Sequence, residues 1–185
     1  MADPARRIAL FGGAFDPPHL GHVLCATYAH AISGVDAVWI LPVAQHPYDT
    51  KRDVRPWSIR WRLCQAAFAP LGFAELRDDE RRNPDGKTYD LVRALDAAHP
   101  GTRWYLIGGS DTRDDLPNWH RGAELAQMIE VIPVPRAGFG ADDAHSLPDI
   151  SSTAIRERLA RDEPVDGLVP AAVRSLIVRE GWYRN

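Results

Sequence analysis

The chain is poor in the features that would place it in several large classes. It has only two cysteines, Cys25 and Cys64, each in an apolar stretch. Their spacing matches neither a zinc motif nor a disulfide framework, so both read as small buried hydrophobes of a reducing compartment. No apolar run approaches the length of a membrane span, and no membrane association is expected. The start MADPARRIALFGG is basic but lacks the apolar run of a leader peptide, which makes the cytoplasm the expected location. Neither sign of charge dominates. The formal net charge is −3, so unspecific binding of nucleic acid is not expected, and an anionic ligand would need cations placed locally. Both common phosphate loops, G-x-x-x-x-G-K-[ST] and G-x-G-x-x-G, are absent. So are a convincing acid–base pair, a nucleophile elbow, a carboxylate cage for a metal and any internal repeat. Such a chain would catalyse by positioning and charge neutralisation, not by covalent chemistry.

What is present is the composition of an ordinary globular fold. The 185 residues are 45% apolar and 25% charged, enough for one domain, residues 1–185, with a core of its own. Arg7–Phe11 is a short apolar run and predicts a buried strand, and Ala37–Leu41, Phe73–Leu76, Trp104–Ile107 and Ile129–Ile132 predict further strands. Between them, helical spacing predicts helices from Leu20 to a stop at Ser33-Gly34, over Ser58–Ala69, and over Thr88–His99 with Thr88 as candidate N-cap. Ile155–Ala160 and Ala171–Arg179 predict the closing helices. Alternating β and α elements predict an α/β fold: a Rossmann-like, doubly wound parallel sheet with helices on both faces. The Gly/Ala/Asp-rich segment 136–149 predicts a surface loop.

Two segments carry chemistry. After the first strand stands Gly12-Gly13-Ala14-Phe15-Asp16-Pro17-Pro18-His19-Leu20-Gly21-His22. Gly12 and Gly13 allow close backbone approach and positive φ. Two prolines delay the helix until Pro18 or His19. His19 and His22, three apart, then share a face of its first turn, where free N–H groups and the helix dipole attract an anion. Gly21 removes a side chain that could block a phosphate. Two imidazoles there can donate to phosphate oxygens as charge builds up in phosphoryl or nucleotidyl transfer. Asp16 could brace the turn or hold a metal, and local bracing is the commoner use of Asp in turns. Near the end stands Ile150-Ser151-Ser152-Thr153-Ala154-Ile155-Arg156. Ser152 or Thr153 could simply cap a helix, or the hydroxyls and free N–H groups could form a second anion site. Arg156 opposes the dipole there and makes more sense holding a phosphate.

The first segment closely resembles the G-x-F-D-P-x-H-x-G-H signature of the HxGH nucleotidyltransferase superfamily, and the second matches its I-S-S-T-x-I-R signature. Further stretches resemble the nicotinate-nucleotide adenylyltransferase family. These are Ile107-Gly108-Gly109-Ser110-Asp111 followed by Trp119, Thr88-Tyr89-Asp90-Leu91, Val134-Pro135-Arg136-Ala137-Gly138 and the closing Gly181-Trp182-Tyr183. The resemblance implies transfer of AMP from ATP to nicotinate mononucleotide, forming deamido-NAD and pyrophosphate in NAD biosynthesis. It implies His19, His22 and Arg156 as catalytic residues. For ATP it implies Gly12, Gly13, Ala14, Phe15, His19, Gly21, His22, Gly109, Asp111, Ile150, Ser151, Ser152 and Arg156. For the pyridine mononucleotide it implies Asp16, His46, Lys51, Thr88, Trp119 and Arg136. Mg²⁺ would arrive on the ATP phosphates, with no protein metal site. The loop Gln45–Lys51 departs from the family's P-P-H-K, and His120 replaces an aromatic. Both departures lie on the pyridine side, so nicotinamide mononucleotide stays open as acceptor. Pantetheine-phosphate adenylyltransferase and cytidylyltransferase activity, a noncatalytic nucleotide sensor and a homo-oligomer stay open as well. Trp119 could pack in the core instead of facing a flat ring.

Overall fold

A computed structural model describes residues 5–44, 54–109, 111–135 and 147–184. Five strands, β1 (Arg7–Gly13), β2 (Ala37–Pro42), β3 (Ala74–Leu76), β4 (Arg103–Gly109) and β5 (Ile129–Val134), form one sheet in the order β3-β2-β1-β4-β5. Every pairing is parallel. Among the described residues the helices are α1 (Leu20–Ser33), α2 (Trp57–Phe68), α3 (Thr88–Ala98), α4 (Thr112–Asp115), α5 (Gly122–Met128), α6 (Ser152–Ala160) and α7 (Ala171–Glu180). Short 3₁₀ turns cover Asp79–Arg82 and Leu116–Asn118. The expected α/β class, the parallel sheet and the two helical layers are all observed.

The pleat explains the two layers. Successive strand residues point to opposite faces. Ala9 and Phe11 of β1, Val38 and Ile40 of β2, and Tyr105 and Ile107 of β4 join one core with residues of α1, α2, α6 and α7. Ile8 and Leu10, Trp39 and Leu41, and Trp104 and Leu106 join the other, under α3 and α5. A strand buried on both sides is apolar at every position, which is why these runs read as continuous.

Connectivity places the functional end. β1 pairs with β2 on one side and β4 on the other. The chain winds outward through β2 and β3, then returns through α3 to start again at β4. The crevice at this reversal lies beyond the carboxyl ends of β1 and β4, where open α/β sheets bind ligands. In a parallel sheet each helix that follows a strand begins at that same edge. The amino ends of α1 and α3 and the segment after β4 therefore share it.

Boundaries differ from expectation in informative ways. β1 and β4 run through their glycine pairs, to Gly13 and Gly109. Gly12 and Gly13 take no positive φ; Phe15 does, at φ 49°. Thr88 is the first residue of α3 and not its cap, which is Lys87, with no side-chain cap bond. α1 and α7 end as expected on left-handed glycines, Gly34 and Gly181. The short helices and 3₁₀ turns escaped the sequence reading, because a three- to seven-residue element shows too little periodicity.

Candidate active site

The histidine turn is locked by its own side chains. His19 is the N-cap of α1. Its Nδ1 accepts from the His22 backbone N–H at 3.4 Å, and His22 Nδ1 accepts from the His19 N–H at 3.2 Å. This is a capping box built from imidazoles. The rings stack with centroids 3.7 Å apart. Because each Nδ1 accepts a hydrogen bond, a neutral ring in this arrangement carries its proton on Nε2. Gly21 also makes room within the turn: a Cβ there would lie 3.0 Å from His19 Nδ1 and 3.1 Å from Cε1. Beneath the pair, Phe15 is fully buried and meets the His22 ring edge-on at 4.9 Å. A bulky residue with positive φ costs about 1–2 kcal/mol, and this one is held by its packing against Phe11 and Phe68.

The two signature segments meet. The Ser152 hydroxyl donates to the Pro17 carbonyl at 2.9 Å, and Arg156 Nη1 donates to the Asp16 carbonyl at 2.7 Å. Ile150 lies against Gly21. The N-cap of α6 is Ser151, with no side-chain cap bond, so neither Ser152 nor Thr153 caps the helix. Ser152 uses its proton to tie α6 to the histidine turn, while Thr153 Oγ1 accepts from Arg156 Nη2 at 3.2 Å. Both acceptors on Arg156 are neutral, so they aim the guanidinium without cancelling its charge.

A buried polar frame supports the turn. Asp16 is only 2% exposed. Its carboxylate accepts from the Tyr183 hydroxyl and from the Arg55 backbone N–H. Asp16 thus braces the loop through two protein donors. Burial, with the Asp16 charge, pushes the Tyr183 phenol far above its ordinary pKa, so it stays a donor at neutral pH. Arg60 of α2 is 3% exposed and was missed from sequence. It donates to the carbonyls of Arg55, Ala14 and Val43. The loops that follow β1 and β2 are therefore held together at the carboxyl edge by one guanidinium. Burial lowers its pKa, with Asp16 opposing. A sequence signal did exist: an arginine on the buried face of a helix needs several partners.

Beyond β4 the backbone is tight. A Cβ at Gly108 would strike the Thr112 side chain, and one at Gly109 would lie 2.5 Å from Asp111 Oδ1. Asp111 is the N-cap of α4. Past α4 lies a second feature, a cavity of about 430 Å³. Gly86, Lys87 and Thr88 line one side, at the start of α3, and Asn118, Trp119 and His120 another. Thr88 and Trp119, separate in sequence, line this one cavity. Trp119 is held by its Nε1–H, which donates to Asp115 Oδ2 at 2.8 Å, and Asn118 donates to the other Asp115 oxygen. These bonds keep the Asp115 carboxyl below the usual range. His46, Lys51 and Arg136 lie outside the described residues, as do Ser110 and most of the segment 136–149. Among the described residues no group of three His, Cys, Asp or Glu side chains is placed to hold a metal ion, and no helix is long and apolar enough to cross a membrane.

The sequence pattern of the cytidylyltransferase-like family matches residues 10–158. A Myxococcus xanthus protein named a probable nicotinate-nucleotide adenylyltransferase is 38% identical over 184 residues, covering 97% of this chain and 96% of its own length. A Bacillus pumilus protein of the same name is 36% identical over 189 residues, covering 97% and 100%. Among solved structures, Plasmodium falciparum nicotinic acid mononucleotide adenylyltransferase complexed with NaAD superposes with a TM-score of 0.78 at 18% identity, over 96% of this chain and 97% of that one. At that identity the likeness speaks for the fold alone.

Proposed function

The chain belongs to the nicotinate-nucleotide adenylyltransferase family, and from that premise we propose that it transfers AMP from ATP to nicotinate mononucleotide, releasing pyrophosphate. The observation that carries this reading is the joining of the two signature turns by the Ser152–Pro17 and Arg156–Asp16 bonds. They bring two Nε2–H donors, a guanidinium and the amino end of α1 to one place, a set suited to a triphosphate.

The 5′-phosphate oxygen of the mononucleotide attacks the α-phosphorus of ATP in line. A new P–O bond forms, the bond to the bridging oxygen of the β-phosphate breaks, and its electron pair leaves with pyrophosphate. The attacking phosphate is already ionised, so no general base is needed. His19 and His22 donate from Nε2 to the triphosphate as charge moves toward the leaving group, and Arg156 neutralises part of it. Ser151 adds its backbone and hydroxyl at the start of α6. Gly12, Gly13 and Ala14 allow the nucleotide to approach the end of β1, and Gly109 and Asp111 do so at β4. Mg²⁺, held by phosphate oxygens and water, would enter with ATP and neutralise charge; the donors of this chain are cationic or neutral and suit the phosphates better than the metal.

The cavity at Trp119 fits the pyridine end. A flat ring can lie on the indole. The amino end of α3 offers backbone N–H groups to a carboxylate, while Lys87 is paired with Asp85 and the Asp115 carboxylate in the lining is engaged by Trp119 and Asn118; these N–H groups favour nicotinate over nicotinamide. A reaction that draws on ATP fits the cytoplasm. The test is initial rates of pyrophosphate release with nicotinate mononucleotide, nicotinamide mononucleotide and phosphopantetheine, each with ATP. The highest kcat/KM is expected with nicotinate mononucleotide; preference for phosphopantetheine would remove the pyridine assignment.

A further inference from the structure

We infer that Asn83, seated by Glu80, is a positioning residue that sets the acid-recognising end of the Trp119 cavity. The inference rests on the functional reading above and adds to it residues that do not touch the ligand.

Asn83 follows the 3₁₀ turn Asp79–Arg82 and is 5% exposed, as is Glu80. Its side-chain amide donates twice, to Glu80 Oε2 at 2.9 Å and to the backbone carbonyl of Lys87 at 3.3 Å. Its backbone is engaged as well: its N–H donates to the Glu80 carbonyl at 3.1 Å, and its carbonyl accepts from Gly86 at 3.0 Å. The segment from Asn83 to Lys87 is therefore wrapped around one amide. Lys87 is the N-cap of α3 and has no side-chain cap of its own. Its carbonyl takes the first helical bond, from Leu91 at 3.2 Å, and the Asn83 amide as a second donor. Asn83 thus fixes the starting residue of α3 from outside the helix. Gly86, Lys87 and Thr88, whose backbone this bond places, line the cavity facing Trp119.

The consequence is specific to one end of one substrate. Recognition of a carboxylate by backbone N–H groups depends on where those groups point, and small errors of placement cost rate and affinity. The histidine turn and Arg156 form no part of this network. Loss of the Asn83 amide should therefore weaken the acid-bearing pyridine substrate and leave ATP alone. Glu80 acts through Asn83 by accepting one of its two N–H groups, which orients the amide so that the other reaches Lys87. A glutamine at position 80 keeps that acceptor.

The experiment measures KM for each substrate and the kcat/KM ratio of nicotinate to nicotinamide mononucleotide. Wild type, Asn83→Ala and Glu80→Gln are compared. Asn83→Ala is expected to raise KM for nicotinate mononucleotide about tenfold, the factor for one lost hydrogen bond's contribution. KM for ATP should stay within about twofold, and the nicotinate preference should shrink. Glu80→Gln should stay within about twofold of wild type throughout. If Asn83→Ala does not fold, Asn83→Ser, which keeps the backbone bonds but cannot reach Lys87, must show the same split. Unchanged constants, or a parallel rise for both substrates, would overturn the inference, as would a loss in Glu80→Gln equal to that in Asn83→Ala. A wild-type protein without nicotinate preference would overturn the functional reading itself, a failure visible without any variant.

Discussion

His19 and His22 show how single side chains can be preorganised by the backbone they sit on. Each ring uses Nδ1 to close the first turn of α1, which fixes both rings relative to the helix start. The arrangement depends on the absence of one carbon. Gly21→Ala improves helix propensity by about 1 kcal/mol, yet its Cβ would sit 3.0 Å from the His19 ring. Turnover should fall about tenfold through the displaced donor, while the melting temperature changes little. Steady-state rates with a melting curve check this, and wild-type turnover would show that the ring tolerates the shift. Glu80 offers a second single-residue prediction. Burial raises its carboxyl pKa, the Asn83 bond opposes this, and Asp79 adds to it. A raised folded pKa contributes stability that is complete below the unfolded value, about 4.3, and is lost as pH rises through the folded one. Glutamine carries no such proton. The melting temperature of wild type minus that of Glu80→Gln should therefore become more negative as pH rises from about 4 to about 8. A difference that does not vary with pH would count against a buried, proton-retaining Glu80.

At the scale of elements, the decisive contact is between the amino end of α6 and the turn before α1. Two hydrogen bonds join them, from Ser152 and Arg156 to consecutive carbonyls, Pro17 and Asp16. The I-S-S-T-x-I-R segment offered two readings, a capped helix or an anion site, and propensity alone could not separate them. The structure shows no side-chain cap bond at the start of α6; the Ser152 hydroxyl and the Arg156 guanidinium instead reach across to another element. Arg156→Lys keeps the charge but loses the planar fork that bridges the Asp16 carbonyl and Thr153. Its kcat/KM for ATP should fall by about tenfold or more, with a smaller change in KM for the mononucleotide. Varying each substrate in turn measures the difference, and equal effects on both would show that Arg156 supports the whole site. The start of α3 teaches a related lesson. Threonine is the better N-cap, so Thr88 drew the expected boundary. The observed cap is Lys87, because Asn83 already holds its carbonyl.

At the scale of the molecule, the carboxyl edge of the sheet is held as a unit by Arg60. Arg60→Leu would leave the carbonyls of Arg55, Ala14 and Val43 without this donor. At about 1–3 kcal/mol for each orphaned buried group, the loss should reach about 3–5 kcal/mol, a severe effect for one residue. Urea unfolding checks it, and Arg60→Lys should recover only part, since an ammonium cannot reach the three carbonyls in the same fork. A fall of under about 1 kcal/mol would mean that water replaces the guanidinium at little cost. Much of this architecture is readable from the chain itself. Apolar runs marked β1, β2 and β4, because a strand buried on both faces needs an apolar residue at nearly every position, while the edge strands β3 and β5 carry Glu75 and Glu130 and showed shorter apolar patterns. The two signature segments announced themselves by residue type, since phosphate recognition uses few chemical groups. What the sequence could not determine is which distant groups touch. Tyr183 on Asp16, Arg60 on Ala14 and Ser152 on Pro17 are hydrogen bonds between distant segments. Local pattern reports how a segment folds on itself. Only chain closure in three dimensions decides which buried donor finds which acceptor, because that pairing follows from the burial of the whole and not from any stretch of it.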